Sequence, residues 1–103
     1  MKKRPEKHPS PLARARELLT AGQYLFRTHA LDRMKERRIT IPEVKHIIVQ
    51  GYHEKSKDDF DEDLKAWKYA IRGKTVDKRN LRMAIALDRD TLLVVVTAID
   101  LDT

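Results

Sequence analysis

The sequence has no cysteine, three glycines and only 6% aromatic residues. Without cysteine there is neither a disulfide framework nor a thiolate metal site. So few glycines leave no glycine-rich loop to hold a phosphate and no nucleophile elbow. No apolar run approaches the roughly 20 residues of a membrane-spanning helix, and the N-terminus lacks the apolar stretch of a signal peptide. We therefore expect a cytoplasmic protein with no membrane association.

Positive charge is in excess, with 22 Lys and Arg against 16 Asp and Glu and a formal net charge of +6. A positive field concentrates polyanions near a protein, so we expect an anionic partner, foremost RNA. Many basic domains of this size bind no polyanion, so the charge alone does not show that this chain binds one. A chain of 103 residues is typical of one domain. We place this domain at residues 10–103, after a basic tail, residues 1–9, whose composition predicts mobility.

Helical spacing and helix-end signals predict a first helix that starts at Ser10 and Pro11 and stops before Gly22. A second helix is predicted from Thr28, a plausible cap, to about Arg38. The apolar positions assigned to the buried faces of these two helices are Leu12, Ala15, Leu18, Leu19, Ala30, Leu31 and Met34.

The third helix has the clearest start, because Thr40 and Glu43 stand at the two positions of a capping box. Gly51 is predicted to end it in a left-handed conformation. The inward face is assigned to Val44, Ile47 and Ile48.

After residue 51 the helical period gives way to alternation and to β-branched residues, which indicates strands at residues 52–57, 66–72, 81–87 and 92–99. The acidic residues 58–63 are predicted to form an irregular loop, because like charges repel. Short loops between strands favour antiparallel pairing. The predicted fold class is α+β, with N-terminal helices packed on a three- to four-stranded antiparallel sheet whose last strand is central.

Three basic side chains follow one face of the second helix, at His29, Arg33 and Arg37. Residues four apart lie nearly above one another on a helix, so these three form a stripe beside the core-facing Ala30 and Met34. Guanidinium groups suit phosphate because their planar donors bind its oxygens bidentately. An imidazole can act as general acid or base near neutral pH. The stripe therefore predicts a phosphate-binding and catalytic surface.

Simpler interpretations of the stripe remain open. Asp32 and Glu36 could balance the two arginines on a solvated helix surface. His29 could be a packing or capping neighbour in the first helical turn. A metal site is not predicted, because His29, His46 and His53 lack the paired spacing of zinc motifs, and no cofactor is expected.

A second basic surface is predicted on the sheet, from Lys68, Arg72 and Arg82. Each stands opposite the apolar residues of its own strand. Trp67 and Tyr69 could stack on the bases of single-stranded RNA. Their alternation with other apolar residues equally suits core packing, and both interpretations stay open.

Residues 28–40, THALDRMKERRIT, resemble the opening motif of the domain-of-unknown-function 4258 family. Gly51 and the strands around Tyr69, around Leu81-Arg82 and around residues 94–96 fit the rest of it. The resemblance covers about residues 25–99. The N-terminal extension, with its own helix, departs from the family pattern.

That resemblance implies a RelE-like or barnase-like α+β fold, shared with toxins of bacterial toxin–antitoxin pairs. It also implies a metal-independent ribonuclease acting on RNA and an antitoxin partner, often of the zinc-finger type. Carried over by position, the leading site residues are His29, Arg33 and Arg37, with Arg82 and Tyr69 as weaker candidates. The competing hypothesis is a non-catalytic module that uses the same helix to hold nucleic acid or an acidic protein segment.

Overall fold

The computed structural model describes residues 4–102. Along these residues the chain forms three α-helices, a short 3₁₀ turn and six strands. In chain order the elements are α1 Pro11–Thr20, β1 Tyr24–Phe26, α2 Thr28–Glu36, α3 Ile41–Gln50, β2 Tyr52–His53, the 3₁₀ turn Lys55–Lys57, β3 Asp59–Asp61, β4 Ala66–Lys74, β5 Asn80–Asp88 and β6 Leu92–Asp100.

The α+β class is confirmed, but the sheet has six strands and is mixed, whereas three or four antiparallel strands were predicted. The strands run in the order β1-β6-β5-β4-β2, and β3 pairs separately with the beginning of β4. The pairing of β1 with β6 is parallel, with Tyr24 opposite Leu93, and the other pairings are antiparallel. The prediction that the last strand lies between neighbours is correct, since β6 has β1 on one side and β5 on the other.

Two of the predicted segments after α3 were wrong. Residues 52–57 do not form one strand, because β2 ends at His53 and a 3₁₀ turn follows. The acidic residues 58–63 are not irregular throughout, because β3 lies within them. Lys68 stands opposite Asp59, and its Nζ is 3.9 Å from Asp59 and 3.7 Å from Asp61, which offsets the repulsion that we expected to prevent pairing.

The helix ends follow the predicted signals in part. Thr40 and Glu43 form the reciprocal capping box at the start of α3. Thr28 is the first helical residue of α2 and not its cap, a position that Arg27 occupies without a side-chain hydrogen bond. The helix also ends at Glu36, short of the predicted Arg38.

Gly51 ends α3 as predicted, but for a different reason. Its φ is −83°, which is not a left-handed conformation. A Cβ atom at this position would lie 2.5 Å from the carbonyl oxygens of Arg72 and Ile47. The glycine therefore allows the end of α3 to approach β4 closely. Gly22, in contrast, has a φ of +75°, as expected just past a helix end.

The helices bury their apolar faces against one face of the sheet. The predicted inward residues of α3 are buried, and so are Ala30 and Met34 of α2, whereas Leu31 is 39% exposed and does not belong to the core. The opposite face of the sheet carries Lys68, Arg72 and Arg82, as the alternation predicted. The sheet side of the core consists of Tyr69, Ile71, Leu81, Met83, Ile85, Leu93, Val95 and Ala98.

The described part of the predicted tail lies against β4. Trp67 donates its indole N–H to the carbonyl oxygen of Pro5 at 2.8 Å, and Lys7 lies 2.9 Å from Asp58. The mobility of residues 1–9 stays a prediction, and residues 1–3 lie outside the described residues. Within residues 4–102, no helix has both the length and the apolar character needed to cross a membrane.

Candidate anion-binding surfaces

Helix α2 brings His29 and Arg33 together on its solvent-exposed side. Four residues separate them, so they lie one turn apart. The Nε–H of Arg33 donates to Nε2 of His29 at 3.5 Å, at the outer limit of a hydrogen bond. Nε2 accepts this hydrogen bond through its ring lone pair. Arg33 also lies 3.5 Å from Glu36, and both side chains are largely exposed.

Arg37 makes a different contact from the other two members of the predicted stripe. Its Nη1 donates to the carbonyl oxygen of Ala98, in β6, at 2.7 Å, and the contact is partly buried. The strand β1 pairs with β6 only as far as Val95, so α2 lies beside the next part of that strand. Arg37 satisfies a backbone carbonyl there. Its predicted role at a phosphate stays a prediction, and the structure gives the guanidinium another partner.

The sheet face opposite the helices brings Arg72 and Arg82 together around one carboxylate. Glu54 accepts from Arg82 at 2.7 Å and from Arg72 at 3.0 Å. The hydrogen bond from Arg82, followed by the one from Arg72, lowers the pKa of Glu54 although desolvation opposes the shift. The hydrogen bond to Glu54 in turn raises the pKa of Arg72. All three cations predicted for this surface are therefore paired within the molecule, Arg72 and Arg82 with Glu54 and Lys68 with Asp59 and Asp61.

Sequence reasoning missed Glu54 at this site. It follows β2, and its backbone N–H donates to the carbonyl oxygen of Ala70 in β4. Only the pairing of β2 with β4 places this carboxylate between the arginines. A strand of two residues gives no periodicity from which that pairing could be predicted.

Lys68 lies on the same face, at the side of a depression of about 200 Å³ whose lining also includes Lys57, Arg82 and Thr97. Its ammonium group lies between Asp59 and Asp61. The pKa of Asp61 is lowered, first by a hydrogen bond from the backbone N–H of Leu64 and then by the nearby charge of Lys68. Of the cations that line this depression, Lys57 makes no ion pair with a residue in the range 4–102, whereas Lys68 and Arg82 each make one or more.

Tyr69 does not share this face. Its ring is 4% exposed and belongs to the core, where it packs edge-on against His53 with the ring centres 5.8 Å apart. Its hydroxyl oxygen accepts from the backbone N–H of His8 at 2.8 Å. Trp67 packs edge-on against Phe60 at 5.4 Å. The structure therefore does not bring Tyr69 together with Lys68, Arg72 and Arg82.

A second cluster that the sequence did not predict surrounds Asp58. The side chain of Asp58 is 1% exposed, and it lies 2.9 Å from both Lys7 and Nε2 of His53. It also accepts from the backbone N–H of Ala70 at 2.9 Å. Buried charges need such partners. Within residues 4–102, no three acidic or histidine side chains come together as a candidate metal site.

The architecture defines an α+β protein with helices packed on one face of a mixed sheet. A family model described as "Domain of unknown function (DUF4258)" matches residues 26–100, which is most of the chain. The chain belongs to this family. The match runs from the last residue of β1 to the end of β6 and leaves α1 and the N-terminal segment outside it. The comparison with curated proteins finds no match.

Proposed function

We propose that this chain binds RNA on the exposed face of α2 and cleaves it without a metal ion, as the toxin of a toxin–antitoxin pair. The observation that carries the proposal is the contact between His29 and Arg33, in which an imidazole and a guanidinium group lie side by side on an exposed helix face. The net charge of +6 supports an anionic substrate. The RelE-like or barnase-like relationship, and a location in the cytoplasm, belong to the same proposal.

The proposed reaction uses the 2′-hydroxyl of RNA as the nucleophile. Arg33 moves from Nε2 of His29 to the phosphate, Nε2 takes the proton of that hydroxyl, and the 2′-oxygen then attacks the adjacent phosphorus atom. The bond from phosphorus to the 5′-oxygen breaks, and that oxygen receives a proton from the imidazolium or from water. The products are a 2′,3′-cyclic phosphate and a 5′-hydroxyl. Arg33 stabilises the charge that develops on the non-bridging oxygens.

The test is cleavage of an end-labelled RNA by purified full-length protein in the presence of a chelator. We expect His29→Ala and Arg33→Ala to lower the rate by about 100-fold or more, as for the loss of a general base or of an oxyanion donor. His46→Ala and Lys35→Ala are the controls, since the first removes an imidazole from α3 and the second removes a positive charge from another side of α2. Cleavage by both site variants at the wild-type rate would show that the assignment is wrong.

A second candidate is a module that binds RNA without cleaving it. The hydrogen bonds of the His29 side chain within residues 4–102 involve Arg33 alone, so no second acid–base group is hydrogen-bonded to the imidazole. Arg37 is also engaged with Ala98. A binding module would lose affinity on Arg33→Ala and leave the RNA intact at every protein concentration, which separates it from the ribonuclease.

The toxin role has its own test in cells. Expression of the chain in bacteria should arrest growth and degrade RNA, and co-expression of the neighbouring reading frame should relieve both effects. A neighbour that copurifies with the chain and carries bound zinc would identify a zinc-finger antitoxin. Normal growth with intact RNA, at a level of expression verified by immunoblot, would contradict the toxin role.

A further inference from the structure

Residues 4–8, here called the strap, run across the beginning of β4 and contact it through both backbone and side chains. The indole N–H of Trp67 donates to the carbonyl oxygen of Pro5 at 2.8 Å. Further along, the backbone N–H of His8 donates to the hydroxyl oxygen of Tyr69 at 2.8 Å. Trp67 and Tyr69 are two residues apart on β4, so these hydrogen bonds fix the strap at two points.

The cations of the strap are held by the acidic segment that contains β3. Lys7 lies 2.9 Å from the buried carboxylate of Asp58 and 4.9 Å from the centre of the Trp67 ring. Arg4 lies 3.4 Å from Glu62 and 5.0 Å from the centre of the Phe60 ring. The basic N-terminal segment and the acidic residues 58–63, which are far apart in the sequence, therefore neutralise each other.

Release of Lys7 would not leave the buried carboxylate of Asp58 without a hydrogen-bond partner. Asp58 keeps two other partners, His53 and the backbone N–H of Ala70. At the other end of the strap, Arg4 and Glu62 are both more than half exposed, with 58% and 65% of their side-chain surfaces accessible. Exposed ion pairs are weak and are screened by salt. Of the contacts that hold the strap, the exposed ion pair of Arg4 is the one for which a polyanion competes most readily. The pair of Lys7 with the buried Asp58 and the hydrogen bonds of Pro5 and His8 must break as the strap leaves.

We propose that the strap is a displaceable cationic segment, which Asp58, Phe60, Glu62 and Trp67 hold in place and which RNA releases by competing for Arg4 and Lys7. The acidic segment then acts as an internal competitor of RNA, and the released strap adds its charges to the bound complex. The inference rests on the proposed RNA binding for its ligand. The strap lies outside the residues that match the family, whereas its docking site lies inside them.

Trp67 is the sole tryptophan of the chain, so its indole N–H resonance reports directly on docking. In full-length protein without RNA, the double variant Arg4→Ala/Lys7→Ala should release the strap. The Trp67 resonance should then shift, because its indole N–H no longer donates to Pro5. The double variant Lys74→Ala/Lys78→Ala removes the same charge from exposed positions and should leave it unshifted. An unchanged resonance in the strap variant would show that Arg4 and Lys7 do not hold the strap in place, and would overturn the proposal whether or not the protein binds RNA.

Titration with a 12-nucleotide oligouridylate then tests displacement. In wild-type protein the Trp67 resonance should move toward its position in the strap variant, and in the strap variant it should stay in place. Glu62→Ala, which weakens docking and keeps the strap cations, should tighten RNA binding about two- to fivefold. Glu17→Ala, which removes a carboxylate on α1, serves as the control for net charge.

The outcomes separate the strap from the proposed function. If Arg33→Ala weakens RNA binding while RNA does not shift the Trp67 resonance of wild-type protein, the strap proposal fails and the proposed α2 surface stands. If RNA moves the resonance but Arg33→Ala binds as wild type does, the strap proposal stands and the α2 surface fails. If RNA at the highest concentration tried neither moves the resonance nor binds any variant, both are overturned.

Discussion

The guanidinium of Arg37 donates a hydrogen bond to the carbonyl oxygen of Ala98, at 2.7 Å, and so joins the end of α2 to β6. We expect Arg37→Ala to lower the free energy of unfolding by about 1 to 2 kcal/mol, as for a partly buried hydrogen bond from a charged donor. Arg33→Ala should cost less than about 0.5 kcal/mol, because its ion pair with Glu36 is exposed. Urea unfolding of the two variants measures the difference, and equal losses would contradict the structural role of Arg37.

A second prediction concerns Gly51, where the backbone at the end of α3 lies close to that of β4. Gly51→Ala should lower the free energy of unfolding by about 2 to 3 kcal/mol, because its Cβ would meet two carbonyl oxygens that belong to α3 and β4 and cannot swing away. Gly22→Ala is the matched control. That position has open space around it and a positive φ, so the expected cost is about 1 kcal/mol. A Gly22 variant less stable than the Gly51 variant would reverse this interpretation.

The helices could be predicted because their signals are local. The capping box of Thr40 and Glu43 and the glycine at position 22 each act within a few residues of the chain. Strand β1 has three residues and pairs with β6, nearly 70 positions away along the chain. Nothing within residues 24–26 specifies that partner. The parallel pairing, and with it the mixed sheet, therefore could not be predicted from local pattern.

The candidate site shows the same division. Helical spacing correctly placed His29 one turn from Arg33, and strand alternation correctly placed Lys68, Arg72 and Arg82 on one face. Neither kind of periodicity reports what a long side chain binds. The partners of the arginines on this face depend on tertiary contacts, as with Glu54, and sequence spacing carries no information about them.

The pairing of Glu54 makes stability depend on acid pH. Its pKa is lowered in the folded state, so the carboxylate binds fewer protons when folded than when unfolded. The stabilisation is therefore present in full above its ordinary pKa of about 4.5 and is lost as pH falls through the lowered value. We expect Glu54→Gln to be less stable than wild type at pH 7 and to lose less stability between pH 5 and 3. Chemical unfolding at each pH measures this, and parallel pH curves would contradict it.

The contact between His29 and Arg33 makes a prediction about salt. If Arg33 binds one RNA phosphate, its replacement by Ala removes one released counterion from the binding equilibrium. The slope of log K against log salt concentration for a single-stranded RNA should then become shallower by about 0.7. Lys35→Ala, on another side of α2, should leave the slope unchanged. Arg37→Ala should also leave it unchanged if, in the wild-type complex, the Arg37 guanidinium keeps its hydrogen bond to Ala98. Fluorescence anisotropy at a series of salt concentrations gives the slopes. If Arg37→Ala changes the slope as much as Arg33→Ala does, Arg37 must leave β6 when RNA binds and contact a phosphate, as the sequence predicted.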